Sequence, residues 1–365
     1  MTEKGKARQI LFLICSFFAI FLGLRYSELC AEGVRKGIEL SVNKLIPSLF
    51  PSMVIAEIIV NGGGCELLAK KISKPFSKLF RISREGALPF LLGMLFGFPI
   101  GIKSAISLYE RGDIDERELR RLSLFTSIPS PAFFISAVGE GLFGSSAFGV
   151  LLYLSSLVTA ILIGVASRFF FTDLSGRYFC ARLKFSQKSK SFTEAVSASA
   201  ETLISVSAFV VFFSTVSEVL KYFFDIIALN ETASVIILGA LEMTGGASLA
   251  SALGGLGAPL SAAILGFSGI SVLCQFISVF GSHKAPILPY ILSKLVFSAT
   301  LFLSAFAAIT FFGDIIKITE PSAPSFLLYQ ESSLSLALFA LFVCACFIAV
   351  RERKRSFFEK TIYKR

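Results

Sequence analysis

The chain has no tryptophan and a single histidine, His283, in 365 residues. Its seven cysteines, at 15, 30, 65, 180, 274, 344 and 346, form no CxxC pair and sit mostly inside apolar runs. With one imidazole and no paired thiols, the sequence offers no structural zinc set, no disulfide framework and no Cys/His nucleophile. Charge is scarce as well: 16% of residues are Asp, Glu, Lys or Arg, against 54% hydrophobic. A soluble domain of this size needs far more polar surface, so the composition is that of an all-α polytopic membrane protein. Without Trp, the interfacial belt falls to eight Tyr and to snorkelling Lys and Arg. Nucleophile motifs, Gly-rich nucleotide loops and metal-ligand clusters are missing too, which leaves no footing for an enzyme or a bound cofactor.

What is there is a repeat. GFPIGIKSA (97–105) interrupts one apolar run, and GALEMTGGA (239–247) interrupts another 142 residues later. Behind each comes a second broken segment at the same offset. FTSIPSPAFFISAVG (125–139) lies over FSGISVLCQFISVFG (267–281), matching at Phe125/Phe267, Ile128/Ile270, Phe134/Phe276, Ile135/Ile277, Ser136/Ser278 and Gly139/Gly281. Paired interrupted segments in corresponding halves mark a secondary transporter, in which unwound backbone at mid-membrane binds the cargo.

The formal net charge of +10 is laid out in clusters that orient a chain in a bilayer, not in a nucleic-acid-binding face. The basic N-terminus (Lys4, Lys6, Arg8), residues 66–85 and 168–190, His283–Lys284 and the tail are expected on the cytoplasmic side. The acidic stretches 222–231 and 313–331 are expected opposite. The apolar stretch Ile10–Leu24 reads as an uncleaved first span, with a cleaved signal peptide as the alternative. Ser27–Lys44 has the spacing of an interfacial helix. Spans follow at Leu45–Val60 (kinked by Pro47 and Pro51), Ser145–Ser167, Leu203–Leu220, Pro289–Phe312 and Leu334–Val350.

About eight transmembrane helices, with Gly86–Leu108 and Ala233–Leu253 as two re-entrant hairpins, satisfy every charge cluster and set the halves as inverted repeats. A ten-span arrangement in which 122–138 and 258–280 re-enter instead also balances. The side on which Tyr109–Arg121 lies separates the two. Glycine-rich tips favour the hairpins, through Gly97, Pro99 and Gly101 in the first and Gly245 and Gly246 in the second. A tight reversal needs φ > 0 or close backbone approach. The chain divides into an N-terminal anchor span (1–33), a first, gate-like repeat (34–167), a basic cytoplasmic linker (168–190), a second inverted repeat (191–312) and a C-terminal span with a basic tail (313–365).

Four breaks inside lipid free backbone groups that are tolerated only against protein or a wet cavity. A central polar cavity is therefore expected. Lys103, beside Ser104, is a costly charge at that depth: it pairs with an anionic substrate, pairs with Glu242 from the opposite hairpin, or snorkels. Glu242 could hold a coupling H+ or Na+, or balance Lys103, and Thr244 follows on the same tip. Thr126, Ser127 and Ser130 precede one half-helix, and Ser268 and Ser271 precede the other, where free N–H groups favour an anion. Gln275 is the amide one turn further on. Glu57, within a span, reads as a helix-packing residue, with a place on the cavity wall as the alternative.

These residues carry a family resemblance. NKLIPSLFP (43–51), GFPIGIKS (97–104), LSLFTSIPSPAFF (122–134), GALEMTGG (239–246) and FSGISVLCQ (267–275) resemble the sporulation integral membrane protein YlbJ family, also called stage V sporulation protein V. That family sits among the nucleoside-recognition ("gate") membrane proteins of spore-forming Firmicutes. The resemblance implies a fold similar to concentrative nucleoside transporters. It also implies movement of dipicolinic acid, a planar dianion, from mother cell to forespore across the outer forespore membrane. Where the family usually places Asn, this chain has Ser127 and Ser130, and a hydroxyl offers one donor for an amide's two. A membrane scaffold of spore formation and a carrier of nucleoside-like solutes are the alternatives. Expected partners are the lipid bilayer and the small anionic substrate, not nucleic acid, with homo-oligomerisation left open. Both termini are expected in the cytoplasm.

Overall fold

The computed structural model describes residues 13–14, 16–17, 20–61, 73–170 and 191–312. Linker residues 171–190, the acidic loop 313–331 and the span expected at Leu334–Val350 lie outside them. Every described element is helical. In chain order these are α1 (Ser27–Leu40), which a π-helical turn at Ser41–Leu45 joins to α2 (Ile46–Asn61), a short helix at 73–80, α3 (Ala87–Phe96), α4 (Ile100–Glu110) and α5 (Glu116–Phe125). A π-helical stretch, Phe133–Glu140, leads to α6 (Ser146–Phe170). Then come α7 (Phe192–Ile226), α8 (Glu231–Leu241), α9 (Met243–Ser251), α10 (Gly257–Phe267), α11 (Gly269–Phe280) and α12 (Ile287–Phe312).

The order repeats: a long helical run, two short helices packed side by side, a broken segment, and a long helix. The short pairs are α3 with α4 and α8 with α9. Close glycine contacts seat both. A Cβ on Gly101 would lie 2.8 Å from the Gly93 Cα, and one on Gly246 would lie 2.1 Å from the Gly239 Cα. Such approaches let short helices pack with little side chain between them.

Four described helical stretches are long and apolar enough to cross a bilayer: Ser146–Phe170, Phe192–Ile226, Gly257–Phe280 and Ile287–Phe311. α3 and α8 are apolar but, at 10 and 11 residues, too short to span alone. The start of α7 is fixed by a capping box, in which the Ser191 hydroxyl takes the Glu194 N–H and the Glu194 carboxylate takes the Ser191 N–H.

The spacing of Ser27–Lys44 suits an interfacial helix, and the structure packs most of it against another helix. α1 runs through the π turn into α2 and lies along α7. The cause is a smooth glycine face: a Cβ on Gly33 would lie 2.5 Å from the Thr215 Cα, and one on Gly37 2.6 Å from the Val211 Cα. The register (33 on 215, 37 on 211) makes the two helices antiparallel. In the other pair of long helices, α6 and α12, the Thr159 hydroxyl donates to Thr300 Oγ1 at 2.9 Å.

The charged connector is pinned to the body by two buried groups on α5. Glu118 Oε1 accepts from the Ser83 N–H at 2.8 Å and the Ser83 hydroxyl at 2.7 Å. Arg121, fully buried, donates to the carbonyls of Phe80 at 2.6 Å and Arg81 at 3.1 Å, and to the Ser167 hydroxyl. Burial raises the Glu118 carboxyl above its ordinary value, with the Ser83 bonds opposing. Beneath it, Phe80, Phe90 and Phe125 pack ring on ring at 4.9–5.8 Å.

Candidate functional site: a cavity where four helix breaks meet

Each short helix pair turns at a different kind of residue. The first turns at Gly97, whose φ of 77° is open to glycine. A Cβ there would lie 2.5 Å from the Ser130 nitrogen, and the next N–H, from Phe98, donates to the Ile128 carbonyl at 2.7 Å. The first tip is thus stitched to the break behind it. The second pair turns at Glu242, an extended residue with φ −138° and ψ 119°. The reversal expected at Gly245 and Gly246 is therefore not there. Both lie inside α9, where Gly246 serves close approach to Gly239 and the Glu242 side chain caps the helix.

The remaining breaks are also chemically unlike. Residues 126–130 leave the helix between two prolines' worth of missing donors, and the Ser130 hydroxyl accepts from the Phe133 N–H at 3.2 Å. Between α10 and α11, Ser268 and Gly269 are both left-handed, with φ of 70° and 76°.

All four breaks line one cavity, which with the open solvent at its mouth amounts to about 620 Å³ of atom-free space. Its apolar walls come from α2 and α7 (Leu45, Leu49, Val206, Val210), with Phe98 and Phe133 from the first half. Of the expected site residues, Ser127, Ser130, Glu242, Thr244, Ser268 and Gln275 line it. Gln275 donates to the Ser271 hydroxyl at 3.3 Å, which places Ser271 one shell behind. Thr126 is buried and bonds back to the Leu122 carbonyl at 2.8 Å, so its hydroxyl serves its own helix.

Lys103 and Ser104 are elsewhere. They line a second, smaller pocket with Glu57, Ser107 and Ser199. Lys103 Nζ lies 3.0 Å from Glu57 Oε1 and donates to the Thr202 hydroxyl at 2.6 Å. Lys103 therefore does not pair with Glu242, and Glu57 ties α2 to α4 through this ion pair at the wall of the smaller pocket. α4 carries Lys103 more than a turn beyond the tip, onto the face toward α2 and α7, whereas Glu242 sits at its own tip. Glu242 accepts instead from the Thr244 N–H at 2.9 Å and the Gly245 N–H at 2.6 Å. A resident carboxylate thus occupies the α9 N-terminus. α4 and α11 begin at the other breaks with no side-chain cap.

One cavity residue escaped the sequence reading. Lys294 belongs to α12, inside the stretch read as a plain span. It is 4% exposed, and its Nζ donates to the Ser127 carbonyl at 2.6 Å and the Ser268 hydroxyl at 3.1 Å. The signal was present: one ammonium in an apolar span costs about 2.5–3.5 kcal/mol and needs a reason to be there. Among the described residues no group of three His, Cys, Asp or Glu is placed to hold a metal ion.

Residues 42–146 match the Gate family, described as nucleoside recognition. Over 78% of its length the chain is 25% identical to the sporulation integral membrane protein YlbJ of Bacillus subtilis (strain 168), covering 79% of that protein. The chain is thus a helical membrane protein similar to YlbJ over most of its length. The Gate match runs from the π turn before α2 to the first residue of α6. It contains the breaks at 97–99 and 126–130 and excludes those at 242 and 268. No solved structure matches the chain.

Proposed function

We propose that this YlbJ-like chain is a secondary carrier for a small organic anion. The observation that carries the reading is the convergence of four helix breaks on one cavity that also holds a buried ammonium. Unwound backbone in a bilayer is tolerated where it faces protein or water, and in carriers that is where cargo binds. The uncapped N-terminus of α11 beside the cavity favours negative charge. In this reading α3–α4 and α8–α9 are re-entrant hairpins entering from opposite sides, and one repeat moves against the other to alternate access. Cargo is held by Ser127, Ser130, Ser268 and Gln275, with Glu242 and Thr244 at the second tip as candidates for a coupling H+ or Na+.

The likeness to YlbJ makes dipicolinate the cargo of choice, carried during sporulation from mother cell to forespore across the outer forespore membrane. Its planar ring suits a cavity faced by Phe98 and Phe133, and its carboxylates suit hydroxyls and freed N–H groups. The Gate match favours one second reading, a nucleoside-like solute. Uptake of labelled dipicolinate into vesicles containing the purified protein, with uridine as competitor, tests both. Dipicolinate uptake that uridine does not inhibit is expected. Uptake of uridine alone moves the assignment to nucleosides, and uptake of neither removes the carrier reading.

A further inference from the structure

We infer that Lys294 is the cargo's carboxylate receptor and that it reads both broken segments at once. The inference rests on the carrier reading above and adds the residue on which charge recognition turns. Among the described residues Lys294 has no carboxylate within ion-pair distance, although it is 4% exposed and lines the cavity. Its Nζ contacts are a carbonyl (Ser127), a hydroxyl (Ser268) and the ring faces of Tyr290 and Phe297, each 5.3 Å away. These stabilise a cation without neutralising it. An ammonium has three donors, and two are used. The third, with the uncompensated charge, remains for a ligand.

The other charge in the cavity does not compete. Glu242 is held by two backbone N–H groups of its own tip, which is what a half-helix N-terminus would otherwise offer to an anion. The two charges therefore divide the labour, one closing a helix end and one left open.

The position of Lys294 gives it a second property. Its two polar partners come from different halves: Ser127 from the break after α5, Ser268 from the break between α10 and α11. An anion drawing the ammonium toward itself weakens both contacts together. A ligand shifts a conformational equilibrium only through differential contacts with the two states, and a residue shared by both repeats supplies them. The position corresponding to Lys294 in the first half, at the repeat offset, is Leu152, fully buried. The device is therefore single.

The test is equilibrium binding to purified full-length protein in detergent, using pyridine-2,6-dicarboxylate, pyridine-2-carboxylate and the neutral pyridine-2,6-dicarboxamide. Affinity of the wild type should fall stepwise from dianion to monoanion to diamide. Lys294→Met should weaken the dicarboxylate roughly 10- to 100-fold, the range of a charge-assisted hydrogen bond, and leave the diamide within a few-fold. Lys294→Arg should restore most of the dicarboxylate affinity. Equal weakening of all three ligands in Lys294→Met would make the residue a structural tie and overturn the inference, as would unchanged dicarboxylate affinity; the carrier reading survives either. Should the Met variant not fold, the wild-type series still decides: equal affinity for dianion and diamide overturns the inference. A wild type that binds none of the three ends the carrier reading and this inference with it.

Discussion

The two halves of the protein repeat one element order but distribute charge in opposite ways. In the first half the hairpin lysine, Lys103, is drawn off to the side and paired with Glu57 at 3.0 Å. In the second half the lysine and carboxylate, Lys294 and Glu242, both face the central cavity and are not ion-paired with each other. The tips differ in the same sense, Gly97 turning by a left-handed φ and Glu242 by an extended one with a side-chain cap. A paired buried charge is architecture, because each partner answers the desolvation of the other. A buried charge without a counter-charge is a vacancy for one. The first half brings hydroxyls and backbone to the cavity, and the second brings the two charged side chains that face it.

The largest expected effect strikes what the halves share, the close turns. Gly97→Ala and Gly246→Ala each force a Cβ into backbone, at 2.5 Å from the Ser130 nitrogen and 2.1 Å from the Gly239 Cα. Each should cost about 3 kcal/mol or more, read as loss of monodisperse protein on size exclusion in detergent. Tolerance at either position would mean the helix pairs are not seated as described.

The lysines should then part company. Lys103→Met removes the Lys103–Glu57 ion pair and should lower stability by about 1–3 kcal/mol, less than for a wholly buried pair because Lys103 is a third exposed. The double change Lys103→Met with Glu57→Gln should recover part of that loss, giving a double-mutant cycle with a favourable coupling. Lys294→Met should behave in the opposite way, leaving thermal stability of the ligand-free protein unchanged or raised by up to about 2 kcal/mol, because it removes a buried charge that has no counter-charge. Equal destabilisation by the two lysine changes would erase the contrast between the halves.

The smallest effect lies outside the spans. Burial holds the Glu118 carboxyl above its ordinary value, so the folded state favours its protonated form. That contribution is present at pH below the ordinary glutamate value of 4.5 and is lost as pH rises through the elevated folded value. Glu118→Gln keeps an acceptor for both Ser83 donors and carries no charge. The gap between wild-type and variant melting temperatures should therefore widen in the variant's favour from about pH 4.5 to pH 8. A constant gap would assign Glu118 no titration of consequence.

Much of the architecture was legible because glycine, proline and hydropathy act locally. Gly97 with Pro99, the Ser130-Pro131 junction and Ser268-Gly269 announced three of the four breaks by residue type alone. The fourth was placed a few residues late, since EMTGG holds two glycines and the reversal sits on the glutamate before them. Glycine signals either a special φ or a close approach, and only packing against Gly239 tells which. Ser27–Lys44 looked interfacial for a similar reason: its amphipathic spacing was visible, but the α7 face that Gly33 and Gly37 match was not.

By itself the sequence determined the membrane class, the duplicated pattern of interrupted helices and the approximate position of the breaks, all properties of residue type and spacing along the chain. Tertiary structure alone decided which charges meet. Lys103 and Lys294 are chemically the same group in comparable apolar runs. Helix phase and packing give one of them Glu57 and leave the other with a carbonyl and a hydroxyl at the cavity wall. Electrostatics depends on distances between residues remote in sequence, and those distances exist only once the halves have packed.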